Sequence, residues 1–382
     1  METCDVLIVG GGPAGSSCAW KLGQSGLNVV ILDKARFPRH KVCAGWITPP
    51  VLAELNIDID DYRKQHVIQP INRFLTGLIG SREVETKYDQ TVSYGIRRFE
   101  FDDYLLRRTS ARLRLGEAFR SIRSDGADWI VNDALRAPLL IGAGGHFCPV
   151  ARHFSAASVA DSNVPRPPEL PVVMAQEIEF EMTPAQVEQC QVLADRPELF
   201  FCPDLKGYGW IFRKGNWLNI GLGREHEDHL SRHVKVFAEW LQSRGKIPLD
   251  LPGPFRGHAY RLRTHLPQPV IPEGVLLIGD AAGLADRQSG EGIRPAIESG
   301  LLAAATILEV GLQHQANFNK IYTEKLRGRF GESATLPNAL FASVPQFAKR
   351  TAASWLMGSA WFSRRILLDN WFLHAEVPIL RV

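Results

Sequence analysis

Gly10, Gly12 and Gly15 stand at the spacing G-x-G-x-x-G, and Asp33 follows 23 residues after the first of them. Residues of these types at this spacing can hold a dinucleotide. Gly10 permits a tight turn, Gly12 lets the main chain approach a pyrophosphate, and Gly15 lets a helix pack closely on a strand. Asp33 can accept hydrogen bonds from ribose hydroxyls and disfavours a 2′-phosphate. Arg36, Arg39, His40 and Lys41 form a basic cluster beside the proposed pyrophosphate site, and Cys43 follows. Further on, Asp280 closes a second apolar run, GVLLIGD, where a carboxylate can hold a chain of sugar-like hydroxyls. Gly290, Glu291 and Gly292 then open a helical stretch whose N-terminus can face phosphate or a polar ring edge. Tyr208, Trp210 and Phe212 alternate, so on a strand they share one face and can wall a site for a flat or greasy substrate.

The elements that must position these residues are legible around them. Asp5 to Val9 reads as a buried strand, Pro13 to about Gln24 as a helix, and Val29 to Leu32 as a second strand. This strand–turn–helix–strand context is what the glycine motif requires. Trp129 to Val131 and Pro138 to Ile141 read as strands returning to the same unit, and Gly274 to Asp280 as another. Residues 71–95 alternate weakly and read as strands. Residues 161–171 are Pro-rich and mark the best internal boundary. Beyond them, Glu177 to Met182 alternates acid with apolar and predicts a half-buried strand with a wet face. Glu198 to Cys202, Tyr208 to Phe212 and Trp217 to Leu222 predict further strands, with a hairpin turn at Lys214-Gly215-Asn216. His229 to Ser243 predicts an amphipathic helix.

This order predicts an α/β protein. A Rossmann-like dinucleotide domain is assembled from 1–70, 96–160 and 265–330. An antiparallel sheet domain that holds the substrate, 71–95 and 161–264, is inserted into it, and a helical C-terminal cap spans 331–382.

The chain of 382 residues is long enough for two or three domains, and a net charge of +3 gives no case for nucleic acid as a partner. Six scattered cysteines without CxxC pairing and no signal-peptide pattern predict a cytoplasmic protein with reduced thiols. No uncharged apolar stretch is long enough to span a bilayer. His226, His229 and His233 are spaced to share a helix face and bind metal, but a solvated helix start is the commoner meaning of such a run, and no metal is expected. From Leu340 to Val382 the chain is rich in Trp and Phe, with five basic residues against two acidic ones. Trp361, Leu368 and Phe372 are spaced to share a helix face. A helical cap on the sheet domain is favoured over a surface for anionic lipid or a partner protein.

Three motifs in order, VGGGPAGSSCAWKL, RHKVCAGWITP and IGDAAGLADRQSGEGIRPAIESG, with RRFEFDDYLL between them, resemble the FAD-dependent oxidoreductases of the para-hydroxybenzoate hydroxylase fold, and among them the geranylgeranyl reductase family. The resemblance covers roughly residues 1–330. It implies FAD as cofactor, with Gly10, Gly12, Pro13, Ala14 and Gly15 around the pyrophosphate and Asp33 on the adenosine ribose. It places Arg39 on the phosphates, Arg98 near the ribityl side and Asp280 on the ribityl hydroxyls. It sets Gly290, Gly292 and Ile293 at the isoalloxazine edge. Cys43 matches a cysteine that some geranylgeranyl reductases carry near the flavin. YGWIF, with Tyr208 and Trp210, is similar to their substrate-cavity stretch. Cys43, Tyr208 and Trp210 are thus the catalytic candidates.

Two departures stand out. Gly144-Gly145 replaces the family's Asp-Gly, which leaves the electron donor open between NAD(P)H and a protein reductase. Arg213 follows Phe212 where the family has Pro, and Pro203 lies five residues before Tyr208, a longer approach than usual. The expected activity is oxidation–reduction on an apolar or aromatic substrate, by reduction of a C=C bond or by hydroxylation. The alternatives are a flavin-binding partner or maturation protein without turnover, and a halogenase. The halogenase reading lacks its GWxWxIP motif.

Overall fold

Val6–Val9 and Val29–Asp33 are apolar along almost their whole length. Such runs belong to strands buried on both faces, the condition of a parallel sheet covered on each side. The structure, a computed structural model, describes residues 1–160, 172–225, 229–263, 271–312, 317–331, 352 and 355–382. In it both runs lie in a five-stranded sheet of order Val275–Leu277, Leu139–Gly142, Val6–Val9, Val29–Asp33, Arg112–Leu115. Every pairing in it is parallel. Val6, Ile8 and Ile31 face the helices Pro13–Gly23 and Ile293–Val310. Leu7, Val9, Val30 and Leu32 face the opposite side, against Val131, Leu135 and Phe154. That side is covered by a four-stranded sheet containing Asp128–Val131 and Leu135–Ala137. The two helices touch closely at Gly300, where a Cβ would lie 2.3 Å from the carbonyl oxygen of Ala14.

A seven-stranded sheet forms the second layer system. Its order is Arg256–Arg261, Val172–Glu181, Trp217–Glu225, Gly207–Lys214, Glu198–Phe201, Arg73–Leu78, Glu83–Lys87. All its pairings are antiparallel except Glu198–Phe201 with Arg73–Leu78. Gly215, at φ +60°, and Asn216 turn the central hairpin. One face, with Ile211, Ile220 and Leu222, is covered by the helix Leu230–Ser243 through Val234, Phe237 and Leu241. The other face, with Phe74, Trp210 and Phe212, is covered by the helical segment Ser363–Phe372. A small sheet of Trp46–Ile47, Ser93–Ile96 and Ile68–Ile71 joins the two systems. The fold is therefore α/β, with an inserted antiparallel sheet and a helical C-terminal segment.

Some elements differ from expectation. The helix expected to open at Gly290 begins at Ile293. Leu368 and Phe372 are buried but Trp361 is 66% exposed, so the three do not share a face. The bond from Leu373 N–H to Leu368 C=O spans five residues, and this wider winding breaks the 3.6-residue period assumed for the segment. The Pro-rich stretch 161–171, His226, and Phe341, Phe347, Lys349 and Arg350 of the tail lie outside the described residues. Among the described residues no helix is long and apolar enough to cross a membrane, and no group of three or more His, Cys, Asp or Glu is placed to hold a metal ion.

Candidate active site

The C-terminal ends of the parallel strands open into a cleft of about 540 Å³ between this sheet and the aromatic face of the seven-stranded one. Open α/β sheets bind ligands at this edge. Gly10, Gly12, Pro13, Ala14, Asp33, Arg39, Arg98, Asp280, Gly290, Gly292 and Ile293 all line it, as do Cys43, Tyr208 and Trp210. Gly15 does not. It sits one layer back, where a Cβ would lie 2.0 Å from the carbonyl oxygen of Gly10.

Two helices start at the cleft, and neither has a side-chain cap: Pro13–Gly23 after Gly12, and Ile293–Val310 after Gly292. Uncapped N–H groups at a helix start can bind a ligand, and the dipoles favour an anion; at the second helix the Glu291 carboxylate also interacts with the Arg294 N–H. Gly10 has φ +119°, and a Cβ there would meet the Ala143 carbonyl oxygen at 2.4 Å, so only glycine fits the turn. Asp33 accepts from Gly11 N–H and from Ala35 N–H, each at 2.8 Å, which fixes its carboxylate at the end of the strand.

The basic side of the cleft is organised by Asp102, which is fully buried. Arg98 grips it bidentately at 2.6 and 2.7 Å, and Arg39 reaches it at 3.2 Å. Arg39 keeps a buried Nη1 with no partner in the protein. Such an atom calls for an acceptor supplied by a ligand. Lys41 contacts the imidazole Nε2 of His258. Burial lowers the Lys41 pKa to about 8, with Asp280 opposing the shift. Burial and the Lys41 charge push His258 down to about 3, which keeps its ring neutral.

At the far end, Gly290 has φ +69° and lies against Tyr260, whose hydroxyl would be 2.4 Å from a Cβ. Asp286 braces this loop by accepting from Gln288 N–H, Ser289 N–H and the Ser289 hydroxyl. Burial raises the Glu291 carboxyl to about 8. Tyr208 donates to the Ser289 carbonyl, tying the aromatic strand to the glycine loop. Cys43 Sγ accepts from Gly45 N–H at 3.4 Å and also interacts with Arg98. It is the one half-buried cysteine; the other five are buried.

Trp210 and Phe212 are almost wholly buried, in a cluster with Phe372, Leu367 and Leu368. Tyr208 and Trp210 line the cleft, whereas Phe212 does not and is sheet core; the C-terminal segment closes the end of this face. Phe372 also lines the cleft, a contribution with no signal beyond aromatic composition. Sequence reasoning also missed a polar cluster behind Cys43. Glu177 is 7% exposed and Lys214 is fully buried, whereas the alternation around Glu177 predicted a wet face and Lys214 read as a turn residue. Glu177 and Glu179 join Asn219, the Cys43 main chain and Lys214 instead of water, while Glu181 at the end of the strand is exposed as expected.

These residues fit FAD. A glycine turn that a Cβ would block, two uncapped helix starts and an unpartnered Arg39 nitrogen provide for a pyrophosphate. The family model for FAD dependent oxidoreductases matches residues 5–98. Menaquinone reductase of Mycobacterium tuberculosis is 28% identical over 92% of this chain and 86% of that protein. Geranylgeranyl diphosphate reductase of Rhodobacter capsulatus is 28% identical over 78% of this chain and 74% of its own. A geranylgeranyl bacteriochlorophyll reductase-like structure from Thermoplasma acidophilum superposes with a TM-score of 0.77 at 20% identity, covering 98% of each chain. Family match, cleft and fold agree: the chain is an FAD-dependent oxidoreductase of the para-hydroxybenzoate hydroxylase fold, similar to the geranylgeranyl reductases.

Proposed function

We propose that the protein reduces a carbon–carbon double bond in a long apolar substrate, and that Cys43 supplies the proton. The observation that carries this reading is the placement of Cys43. It is the one half-buried cysteine, and it lines the cleft with the aromatic wall of Tyr208 and Trp210. Menaquinone and geranylgeranyl diphosphate, in the names of two relatives, are substrates with isoprenoid chains and support the same class.

FAD, when bound and reduced by an external electron donor, would supply a hydride equivalent. The helix starts at Gly12 and Gly292 and the Arg39 guanidinium hold its polar parts, with Asp33 and Asp280 on its hydroxyls. Tyr208, Trp210 and Phe372 exclude water and orient the apolar chain by burial. The Cys43 thiol gives its proton to the second carbon of the double bond, and the Arg98 guanidinium beside it stabilises the thiolate left behind until solvent returns the proton.

The test is turnover of Cys43→Ser and Cys43→Ala with geranylgeranyl diphosphate and with a prenylated quinone, using dithionite as reductant and scoring only saturation of the isoprenoid chain by product mass after any quinol is reoxidised. A fall of about 100-fold or more in kcat with FAD content unchanged is expected, the range of a lost general acid. Wild-type kcat in both variants removes Cys43 from the chemistry.

The C-terminal segment supports a route to such a substrate. Trp355 is 77% and Trp361 66% exposed, and Arg364 and Arg365 lie beside them in sequence, also exposed. This pairing suits the interface of an anionic bilayer. Flotation with phosphatidylglycerol vesicles should weaken in the double variant Trp355→Ala, Trp361→Ala. Equal flotation of variant and wild type removes the membrane contact.

A further inference from the structure

We propose that Glu177 is a positioning residue for Cys43, acting through the Asn219 amide as a buried clamp on the Cys43 main chain. This rests on the reading that Cys43 is the proton donor.

The clamp is set by hydrogen-bond geometry. Trp210 Nε1 donates to Asn219 Oδ1 at 2.7 Å. An indole N–H can only donate, so this bond fixes which end of the amide is oxygen. Asn219 Nδ2 is therefore aimed the other way, and it donates to Glu177 Oε2 at 3.0 Å and to the Cys43 carbonyl at 3.2 Å. The Cys43 main-chain amide also acts on the Glu177 carboxylate. Asn219 is fully buried and Glu177 nearly so. One aromatic residue of the cleft wall, one amide and one carboxylate thus fix the backbone that carries the thiol.

The charges around Glu177 are few. Glu179 stands on its own strand and Lys214 on the strand Gly207–Lys214, where it is paired with Glu179 at 2.8 Å. Arg97 reaches Glu179 at 3.7 Å. Arg256 lies opposite Glu177 in the sheet and is exposed. Burial, reinforced by Glu179 and opposed by Asn219, the Cys43 amide and Lys214, raises the carboxyl to about 7. Below that pH the carboxyl is protonated and becomes a poorer acceptor for Asn219, so the clamp weakens as pH falls through about 7.

Cys43 can be read without turnover, because the other five cysteines are buried. The experiment follows the rate of alkylation of the FAD-loaded protein by iodoacetamide across pH, with Cys43→Ser as the blank. Wild type is expected to show a break near pH 7, departing from the smooth rise of a thiol ionising alone. Glu177→Gln keeps an acceptor but cannot titrate, and is expected to lose the break. Asn219→Ala is expected to react about fivefold faster, the effect of one net hydrogen bond lost. FAD content and melting temperature serve as folding controls, and the near-isosteric Gln variant carries the test if Asn219→Ala does not fold. A break that persists in Glu177→Gln, or a wild-type rate in Asn219→Ala, overturns the proposal. If the break behaves as stated while Cys43→Ser keeps full turnover, the clamp stands and the proton-donor reading fails.

Discussion

Phe372 stacks on Trp46, with ring centroids 5.5 Å apart and planes at 16°. The contact ties the C-terminal segment to the loop that carries Cys43. Phe372 also meets Tyr208 edge-on at 5.4 Å, so one ring closes the end of the aromatic wall. Phe372→Ala should destabilise the protein by about 3–5 kcal/mol, the range for deleting a buried aromatic ring. A urea denaturation midpoint measures it, and a loss below about 1 kcal/mol would mean the segment is not held by this contact.

Gly12→Val should give folded protein that has lost FAD. The Gly12 Cβ position is open except for Arg39 Nη2 at 3.3 Å, so the chain can accommodate the side chain. The pyrophosphate cannot, and affinity should fall at least about 100-fold, or ~2.7 kcal/mol. Flavin absorbance after gel filtration reports the outcome; full occupancy would show that the phosphates lie elsewhere.

Lys41 makes a signed contribution to stability against pH. Its pKa falls from the ordinary 10.5 to about 8 on folding. Between these values the unfolded chain holds more protons than the folded one, so stability from this group rises with pH across that window and is flat below it. Wild type should therefore gain on Lys41→Met as pH is raised from about 8 towards about 10.5. Parallel curves of melting temperature against pH for the two proteins would show that Lys41 keeps its charge when folded.

Much of this site was legible in the sequence because its parts are local. The turn at Gly10, the helix after Gly12 and the acid at Asp33 lie within one strand–helix–strand unit, and their periods are read directly. Asp280 and Gly290 each sit beside an apolar run or a helix start. What stayed hidden depends on distant neighbours. The acid face of Val172–Glu181 alternates as a solvated face would, and only the packing of the Cys43 loop and Lys214 against it makes Glu177 a buried group. Arg112–Leu115 carries two arginines in four residues and gives no apolar run to read, yet it is an edge strand whose charged residues reach solvent. The burial of Phe372 over the aromatic strand needs two segments far apart in sequence to meet.

Reduction by free NADH or NADPH should be slow. The family's aspartate is replaced by Gly144, and a Cβ there would stand 3.0 Å from the Cys148 Cα, so this turn has closed over the space of a side chain. Stopped-flow bleaching of the flavin slower than about 1 per second is expected, at the low edge of enzymatic turnover. Bleaching at tens per second would show that a nicotinamide site survives without that carboxylate.

The central claim is that the cleft adds hydrogen across a double bond. The most direct measurement is a single turnover without oxygen, mixing dithionite-reduced holoprotein with geranylgeranyl diphosphate or a prenylated quinone and recording both flavin colour and product mass. The account predicts that the yellow colour returns in the absence of oxygen and that the isoprenoid chain of the product gains two hydrogens, counted after any quinol is reoxidised to quinone, with both events slowed together in Cys43→Ser. Flavin that stays bleached until oxygen is admitted, with a product that gains an oxygen atom, would contradict it and make the protein a hydroxylase.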